Sequence, residues 1–316
     1  MLPGRGNVAA MGMNGEIAFF SSGELTWKKS IQDRFTGDLQ LIDLHGNGEK
    51  YILVSTEDTI YVWDKSGNSP TGFPITLENP ATSEVKFYRW RGKSYFLVAN
   101  NGEITQFNAK GGELRIFKTQ VNPKSQISVW ASQNRLFAGF HDGAQFEMYD
   151  MDRQRKHRVF DLPDGLMPAK VPNQIYHYGL LDGTLCRFDQ KGGKMTFEKY
   201  PKSSLLTIDQ SGAAPVVLIQ SVNEVHLINQ EGIPFGEIRL PFNEIGAISC
   251  NQLPSGKTLV GIVDGLENNV YLYQVDGTSL IPNALEGQKK VRITSEGVQL
   301  RITTIVGQFI TEYFEQ

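Results

Sequence analysis

The chain has 316 residues, with 31 Lys and Arg against 34 Asp and Glu, and a formal net charge of −3. Interspersed charge of that size excludes an extended nucleic-acid surface, and no apolar run reaches the roughly 18 residues of a membrane-spanning helix. Two cysteines, Cys186 and Cys250, cannot form a disulfide framework; both lie in strand-like runs, read as buried free thiols, and leave the redox compartment open.

The opening "MLPGRGNVAAMGMNG" lacks the apolar core of about 7–15 residues that a secretion signal requires. If the chain is an internal fragment whose signal lies upstream, a periplasmic, cell-surface or secreted location is favoured. The first predicted strand, "EIAFFSSG" from Glu16, has six relatives along the chain. They are "TIYVWDKSG" from Thr59, "EITQFNAKGG" from Glu103, "AQFEMYDMD" from Ala144, "TLCRFDQKGG" from Thr184, "EVHLINQEG" from Glu224 and "NVYLYQVDG" from Asn269. Their spacing is a period of 40 to 45 residues, repeated seven times. Each copy opens on an apolar residue and closes on a bulky one. Next comes Ser21, Asp64, Asn108, Asp150, Asp189, Asn229 or Gln274. An Asp or Asn there can bond the backbone two residues on and start a turn, and glycine follows within three residues in six copies.

Before six of the seven strands a second turn signal falls between apolar runs: Asn14-Gly15, Asn101-Gly102, Asp142-Gly143, Asp182-Gly183 and, less regularly, Glu57-Asp58 and Val222-Asn223. Each period therefore holds a hairpin such as "KYILVST" to "TIYVWDK". Further strands lie upstream ("LQLIDL", "VKFYRW", "ISVWAS", "LLTIDQ", "AISCNQ") and downstream ("ELTWKKS", "ELRIFKT", "KHRVFDL", "KMTFEKY", "GEIRLPF"). Four antiparallel strands in about 42 residues is the signature of a β-propeller blade. The expected fold is all-β, a seven-bladed propeller in one domain over 1–316, with blade periods near 8–37, 38–83, 84–125, 126–165, 166–203, 204–244 and 245–290. The segment 291–316 is expected to close the ring, with Leu300–Val306 or Phe309–Phe314 completing the first blade; an eighth blade is the alternative.

Trp63-Asp64 matches the dipeptide of WD-repeat propellers in one copy only, without a preceding Gly-His. "LIDLHGNGEKYILVSTEDTIYVWDKSGNSPTGFPI" instead resembles the repeats of integrin-like FG-GAP propellers, where an aspartate-rich loop precedes a strand and a Gly-x-Pro segment ends the blade. "SSGELTWKKSI", with Gly23 and Trp27, resembles the Gly-x-x-x-Trp stretch of quinoprotein-like propellers. Over residues 14–120 the chain resembles the quinoprotein-like or FG-GAP-like propeller carried by larger bacterial envelope proteins. That resemblance implies a fold, since propellers host both enzymes and scaffolds.

The loop "DLHGNGE" sets Asp43, His45 and Asn47 at alternate positions ahead of Gly48, a degenerate calcium pattern. In FG-GAP repeats these positions would be metal ligands; here two carboxylates are replaced, and a structural turn is the competing reading. No cofactor is expected, with calcium in this loop the one exception and a single Gly-x-x-x-Trp too few for a quinone site. "MDRQRKHRVF" gathers Arg153, Arg155, Lys156, His157 and Arg158 into a patch for phosphate, acidic polysaccharide or an acidic partner; the plainer reading is a charged outer edge strand. Trp90 and Arg91, with Phe73, Tyr88 and Trp130, are candidate anchors or blade packing. No nucleophile elbow, phosphate loop or dinucleotide fingerprint is present. The expected function is a non-enzymatic binding or scaffold module for a protein or glycan partner, within a larger envelope or secreted protein. The alternative is a glycan-active hydrolase or lyase with a composite carboxylate site at the axis. Partner identity and oligomeric state are not encoded in any motif.

Overall fold

The structure is a computed structural model and describes residues 7–12, 15–21, 24–120, 126–142, 144–163, 165–171, 174–210, 214–253, 255–288, 291–296, 299–306 and 309–315. The chain divides into two compact units, Met1–Asp164 and Gly165–Gln316.

The first unit holds blades one to four. Blade one contains β1 (Asn7–Met11), β2 (Glu16–Ser21) and β3 (Glu24–Ser30); blade two contains β4 (Gln40–Ile42), β5 (Tyr51–Ser55), β6 (Thr59–Trp63) and β7 (Ile75–Thr76). Blade three contains β8 (Lys86–Trp90), β9 (Lys93–Asn100), β10 (Glu103–Asn108) and β11 (Glu113–Lys118). Blade four contains β12 (Ser128–Ser132), β13 (Arg135–His141), β14 (Gln145–Asp150) and β15 (Arg155–Asp161).

The second unit holds blades five to seven and a further sheet. Blade five contains β16 (Met167–Val171), β17 (Gln174–Leu181), β18 (Thr184–Asp189) and β19 (Lys194–Lys199); blade six contains β20 (Leu205–Asp209), β21 (Val216–Gln220), β22 (Glu224–Ile228) and β23 (Pro234–Arg239). Blade seven contains β24 (Ile245–Gln252), β25 (Thr258–Asp264), β26 (Asn269–Gln274) and β27 (Leu285–Glu286). Last come β28 (Arg292–Glu296), β29 (Gln299–Val306) and β30 (Phe309–Glu315). Every described pairing is antiparallel between chain neighbours, and each of the seven repeat strands sits in its own sheet.

The two runs expected to close the ring pair with each other. Leu300–Val306 and Phe309–Phe314 lie in β29 and β30, which pair with each other from Leu300↔Glu315 to Val306↔Phe309, and β28 completes a three-stranded sheet. Two strand-length runs so close in sequence pair at low loop-closure cost. Four strands escape the sequence patterns, β28 among them. β7 and β27 are two residues long, and β16 contains Pro168, tolerated because β16 is an edge of its sheet.

Middle strands are buried on both faces, as in β5 and β13, so they read as continuous apolar runs, whereas outer strands such as β3 and β19 are largely exposed. The core lies between successive sheets. Val62 and Phe73 of blade two pack with Phe96 and Val98 of blade three, and Val225 and Leu227 of blade six pack with Val260 and Ile262 of blade seven. Burying such a side chain contributes about 1.5–3 kcal/mol. Polar side chains then tie the inner strands of adjacent blades one period apart. The Gln40 amide donates to Val85 O (2.9 Å), Asp209 accepts the Cys250 amide (2.9 Å), and Asn251 accepts the Ile293 amide (2.9 Å).

The repeated turn works as the sequence implies. Asp64, Asn108, Asp189 and Asn229 each turn Oδ1 back to accept the backbone amides two and four residues on, at 2.7–3.1 Å. The glycine three residues on, as at Gly192 (φ 84°), takes the left-handed conformation the turn needs. Asp189→Ala is expected to cost about 1 kcal/mol by losing both bonds, while Asp189→Asn stays near neutral. Urea midpoints of the two variants check this; equal losses would mean the carboxamide oxygen does not hold the turn.

Candidate functional site

The Asp43 loop is closed by its own backbone. Asp43 Oδ1 and Oδ2 accept the Gly46 (2.5 Å) and Gly48 (3.1 Å) amides, and Asn47 Oδ1 accepts the Glu49 amide (3.1 Å). His45 lies edge-on to Tyr51, with ring centres 5.3 Å apart. Burial pushes the Asp43 carboxyl up, but the Gly48 and Gly46 amides and the charges of Arg89 and Lys50 outweigh it, so its pKa falls below the ordinary value. Among the described residues, no group of three or more His, Cys, Asp or Glu could hold a metal ion.

The residues that do converge lie at one rim of blades three and four, within the first unit. Strands β8 and β9 turn at Arg91-Gly92, and β12 and β13 at Gln133-Asn134; all four residues have positive φ, as two-residue hairpin loops require. Arg91, at φ 47°, occupies a region that costs a non-glycine residue roughly 1–2 kcal/mol. Its surroundings hold it there: Nη2 donates to Asn134 O (3.1 Å), Nη1 lies 3.7 Å from Asp152, and the guanidinium covers the Trp90 ring at 5.2 Å. Trp90 Nε1 donates to Asp152 Oδ1 (3.0 Å), while Asp152 Oδ2 accepts the Leu136 amide (2.8 Å).

Behind this pair sits Asp150, whose side chain is 1% exposed; it accepts Arg135 Nη1 (2.9 Å) and the Arg153 amide (2.9 Å). Arg91 and Arg153 keep 59% and 57% of their side chains in solvent. The rim thus presents two guanidinium groups and an indole edge, held in place by two carboxylates. The sequence singles out Trp90, Arg91 and Arg153 as candidates, but not Arg135, Asp150 and Asp152 as the groups that contact them. A usable signal existed: the Asp150 copy of the turn is the one without glycine, and Gln154 takes the positive φ (57°) instead.

The basic run divides in the structure. Arg155 and Arg158 are exposed on β15, the outer edge of blade four. Lys156 turns inward to the buried Glu147 (3.2 Å), which also accepts the Gln120 amide (2.9 Å). The Tyr149 hydroxyl is 2.6 Å from Glu147 and 2.7 Å from Lys118 O; burial and then Glu147 push its pKa up. His157 packs on Phe137 at 5.2 Å; burial first, then Arg135, Arg158 and Arg155, lower its pKa against the opposing pull of Asp150. Phe73, Tyr88 and Trp130, candidate anchors by sequence, are all buried and serve blade packing. Trp27 of the Gly-x-x-x-Trp stretch stacks on Phe19 (5.8 Å) and donates Nε1 to Lys65 O (3.1 Å), while Gly23, like Asn14 and Gly143, lies outside the described residues.

One carboxylate bears on the enzymatic alternative. Glu84 precedes β8, and its two oxygens accept the amides of Gln40 (2.6 Å) and Gln126, the equivalent positions of blades two and four. Burial raises its pKa, and Asp38 adds to the rise, against Lys86 and the Gln40 amide. With both oxygens already bonded to amides, Glu84 links three blades.

No family model and no curated protein matches the chain. Solved structures do. BamB from Moraxella catarrhalis shares 15% identity at a TM-score of 0.61, over 99% of this chain and 95% of that one. The fold is a β-propeller. Its seven repeats are the blades, and the architecture is all-β, with no helix among the described residues. BBS1N, in complex with ARL6DN, matches this propeller at 13% identity and a TM-score of 0.56, over 86% of this chain and 90% of that one. A streptogramin B lyase matches at 14% identity and a TM-score of 0.52, over 86% and 92%. Propellers with a protein partner and propellers with an activity therefore both share the fold, and no described helix is long and apolar enough to cross a membrane.

Proposed function

We propose that this propeller is a non-enzymatic binding module, its residues 1–316 forming one domain of a larger envelope or secreted protein. It presents the rim of blades three and four to an acidic protein partner. The observation that carries the reading is the convergence of exposed Arg91 and Arg153 beside Trp90, each braced by Asp150 or Asp152. Charge supports it: residues 84–164 hold thirteen Lys and Arg against nine Asp and Glu, in a chain that is acidic overall. Arg and Trp are the side chains that most often dominate binding energy, and bracing them beforehand lowers the ordering cost of association. BBS1N in complex with ARL6DN is a protein of this fold holding a protein partner.

The test is association with a surface-bound polyglutamate peptide, followed by biolayer interferometry across ionic strengths. The double variant Arg91→Ala, Arg153→Ala should associate about tenfold more slowly at low salt, and the gap should close as salt rises. Unchanged association would place recognition elsewhere. Preference for a heparin oligosaccharide over the peptide would move the reading to an acidic glycan.

A further inference from the structure

The sequence holds three Asn-Gly pairs, and each runs on into glutamate: Asn14-Gly15-Glu16, Asn47-Gly48-Glu49 and Asn101-Gly102-Glu103. Asn14 lies outside the described residues. The other two pairs share more than their sequence. Asn47 and Asn101 are both exposed. Gly48 (φ 87°) and Gly102 (φ 79°) both take the left-handed conformation, and a Cβ on either would meet nothing within 4 Å.

Hydrogen bonding separates them. Gly48 N donates to Asp43 Oδ2 (3.1 Å), and Asn47 Oδ1 accepts the Glu49 amide (3.1 Å), so both reacting partners of that pair are tied into the Asp43 loop. Asn101-Gly102 instead forms the two-residue turn between β9 and β10, where Asn100 is paired with Glu103. The Gly102 carbonyl accepts the Thr119 amide (2.9 Å). Neither the Gly102 amide nor the Asn101 side chain is hydrogen-bonded among the described residues.

We propose that Asn101 is a site of spontaneous deamidation, with water as the co-reactant, and that the Asp43 loop protects Asn47 from the same reaction. Glycine carries no side chain to keep its nitrogen away from the preceding Cγ. The Gly102 nitrogen gives up its proton and bonds to Asn101 Cγ, while the bond from Cγ to the side-chain nitrogen breaks and ammonia leaves. Water then opens the resulting succinimide at either carbonyl, giving aspartate or isoaspartate. The net change is an amide and water converted to a carboxylate and ammonium, with no oxidant or reductant. At Gly48 the proton that must leave is held on the Asp43 carboxylate, and breaking that charge-assisted bond corresponds to about tenfold or more in rate. The isoaspartate product also adds a methylene to the main chain of the Asn101 turn, against the pairing of Asn100 with Glu103. Asn101 lies at the opposite end of β9 from Arg91, and the inference does not depend on the rim of blades three and four.

Tryptic peptides of the full chain, sampled over weeks at about 37 °C and pH 8, read the conversion of each asparagine by mass and fragmentation. In the folded chain Asn101 should convert about tenfold or more faster than Asn47. In concentrated urea the shared Asn-Gly-Glu sequence should bring the two rates together. Asp43→Ala, which removes the acceptor of the Gly48 amide, should raise Asn47 conversion severalfold while leaving Asn101 unchanged. Equal conversion in the folded wild-type chain, a difference that persists in urea, or an Asn47 that stays slow in folded Asp43→Ala overturns the proposal. The wild-type comparison in buffer and in urea needs no variant to fold.

Discussion

Arg135→Met is expected to lower stability by about 2–3 kcal/mol at pH 8. Asp150 is 1% exposed at the end of β14, and Arg135 supplies its 2.9 Å charge-assisted bond. Removing that guanidinium leaves a buried carboxylate on the Arg153 amide, with Arg153 Nε only 3.9 Å away as counter-charge. Breaking a fully buried pair costs about 3–5 kcal/mol; Arg135 is 29% exposed, and solvent screening moves the expectation to the lower end. The variant also loses the cation over Phe137. Asp150→Asn placed on top should recover part of the loss, because the stranded charge is then gone. The loss should further shrink as pH falls. His157 has a pKa below its ordinary value, so its contribution to stability is full above the unfolded pKa near 6.5 and declines as pH drops through the folded value. Arg135 is one of the charges that lower it and Asp150 opposes, so in the variant His157 charges more readily and partly replaces the missing cation. Urea unfolding at pH 8 and pH 5.5 reads both effects. A loss under about 0.5 kcal/mol, or one that grows on acidification, would show that Asp150 does not depend on Arg135.

Arg135 also shows why the rim was only half legible in the sequence. The repeated strand and its turn are local: an Asp or Asn closing a strand, with glycine three residues on, needs nothing beyond its own segment, and Asp64, Asn108, Asp189 and Asn229 all act as that pattern implies. The rim is non-local. Trp90 reaches Asp152 across 62 positions and Arg91 reaches Asn134 across 43, distances along the chain that periodicity relates but side-chain direction decides. Composition cannot tell that Trp90 offers an indole edge while Trp130 is buried. It cannot tell that Lys156 turns inward to Glu147 while Arg155, its neighbour in the chain, faces solvent.

Gly72→Ala is expected to cost about 3 kcal/mol, well beyond an ordinary turn glycine. Gly72 lies in "SPTGFPI", the segment that resembles the Gly-x-Pro blade ending, with φ 93°. A methyl group there would fall inside van der Waals contact of the Lys110 carbonyl, and one on Gly111 would meet the Gly72 carbonyl in the same way. The two turns, one from blade two and one from blade three, pack backbone to backbone with no room for a Cβ on either. Conformational strain at positive φ accounts for roughly 1–2 kcal/mol of the expected loss, and separating the turns for the rest. Gly92 provides the control: it also has positive φ (76°), but a Cβ there meets nothing within 4 Å, so Gly92→Ala should show the conformational cost alone. Thermal midpoints of the two variants distinguish the effects. If Gly72→Ala is no worse than Gly92→Ala, the close approach of the turns contributes nothing. If it is worse by the expected margin, the glycine of that segment is required by a neighbouring blade, a constraint that a repeat read one copy at a time cannot reveal.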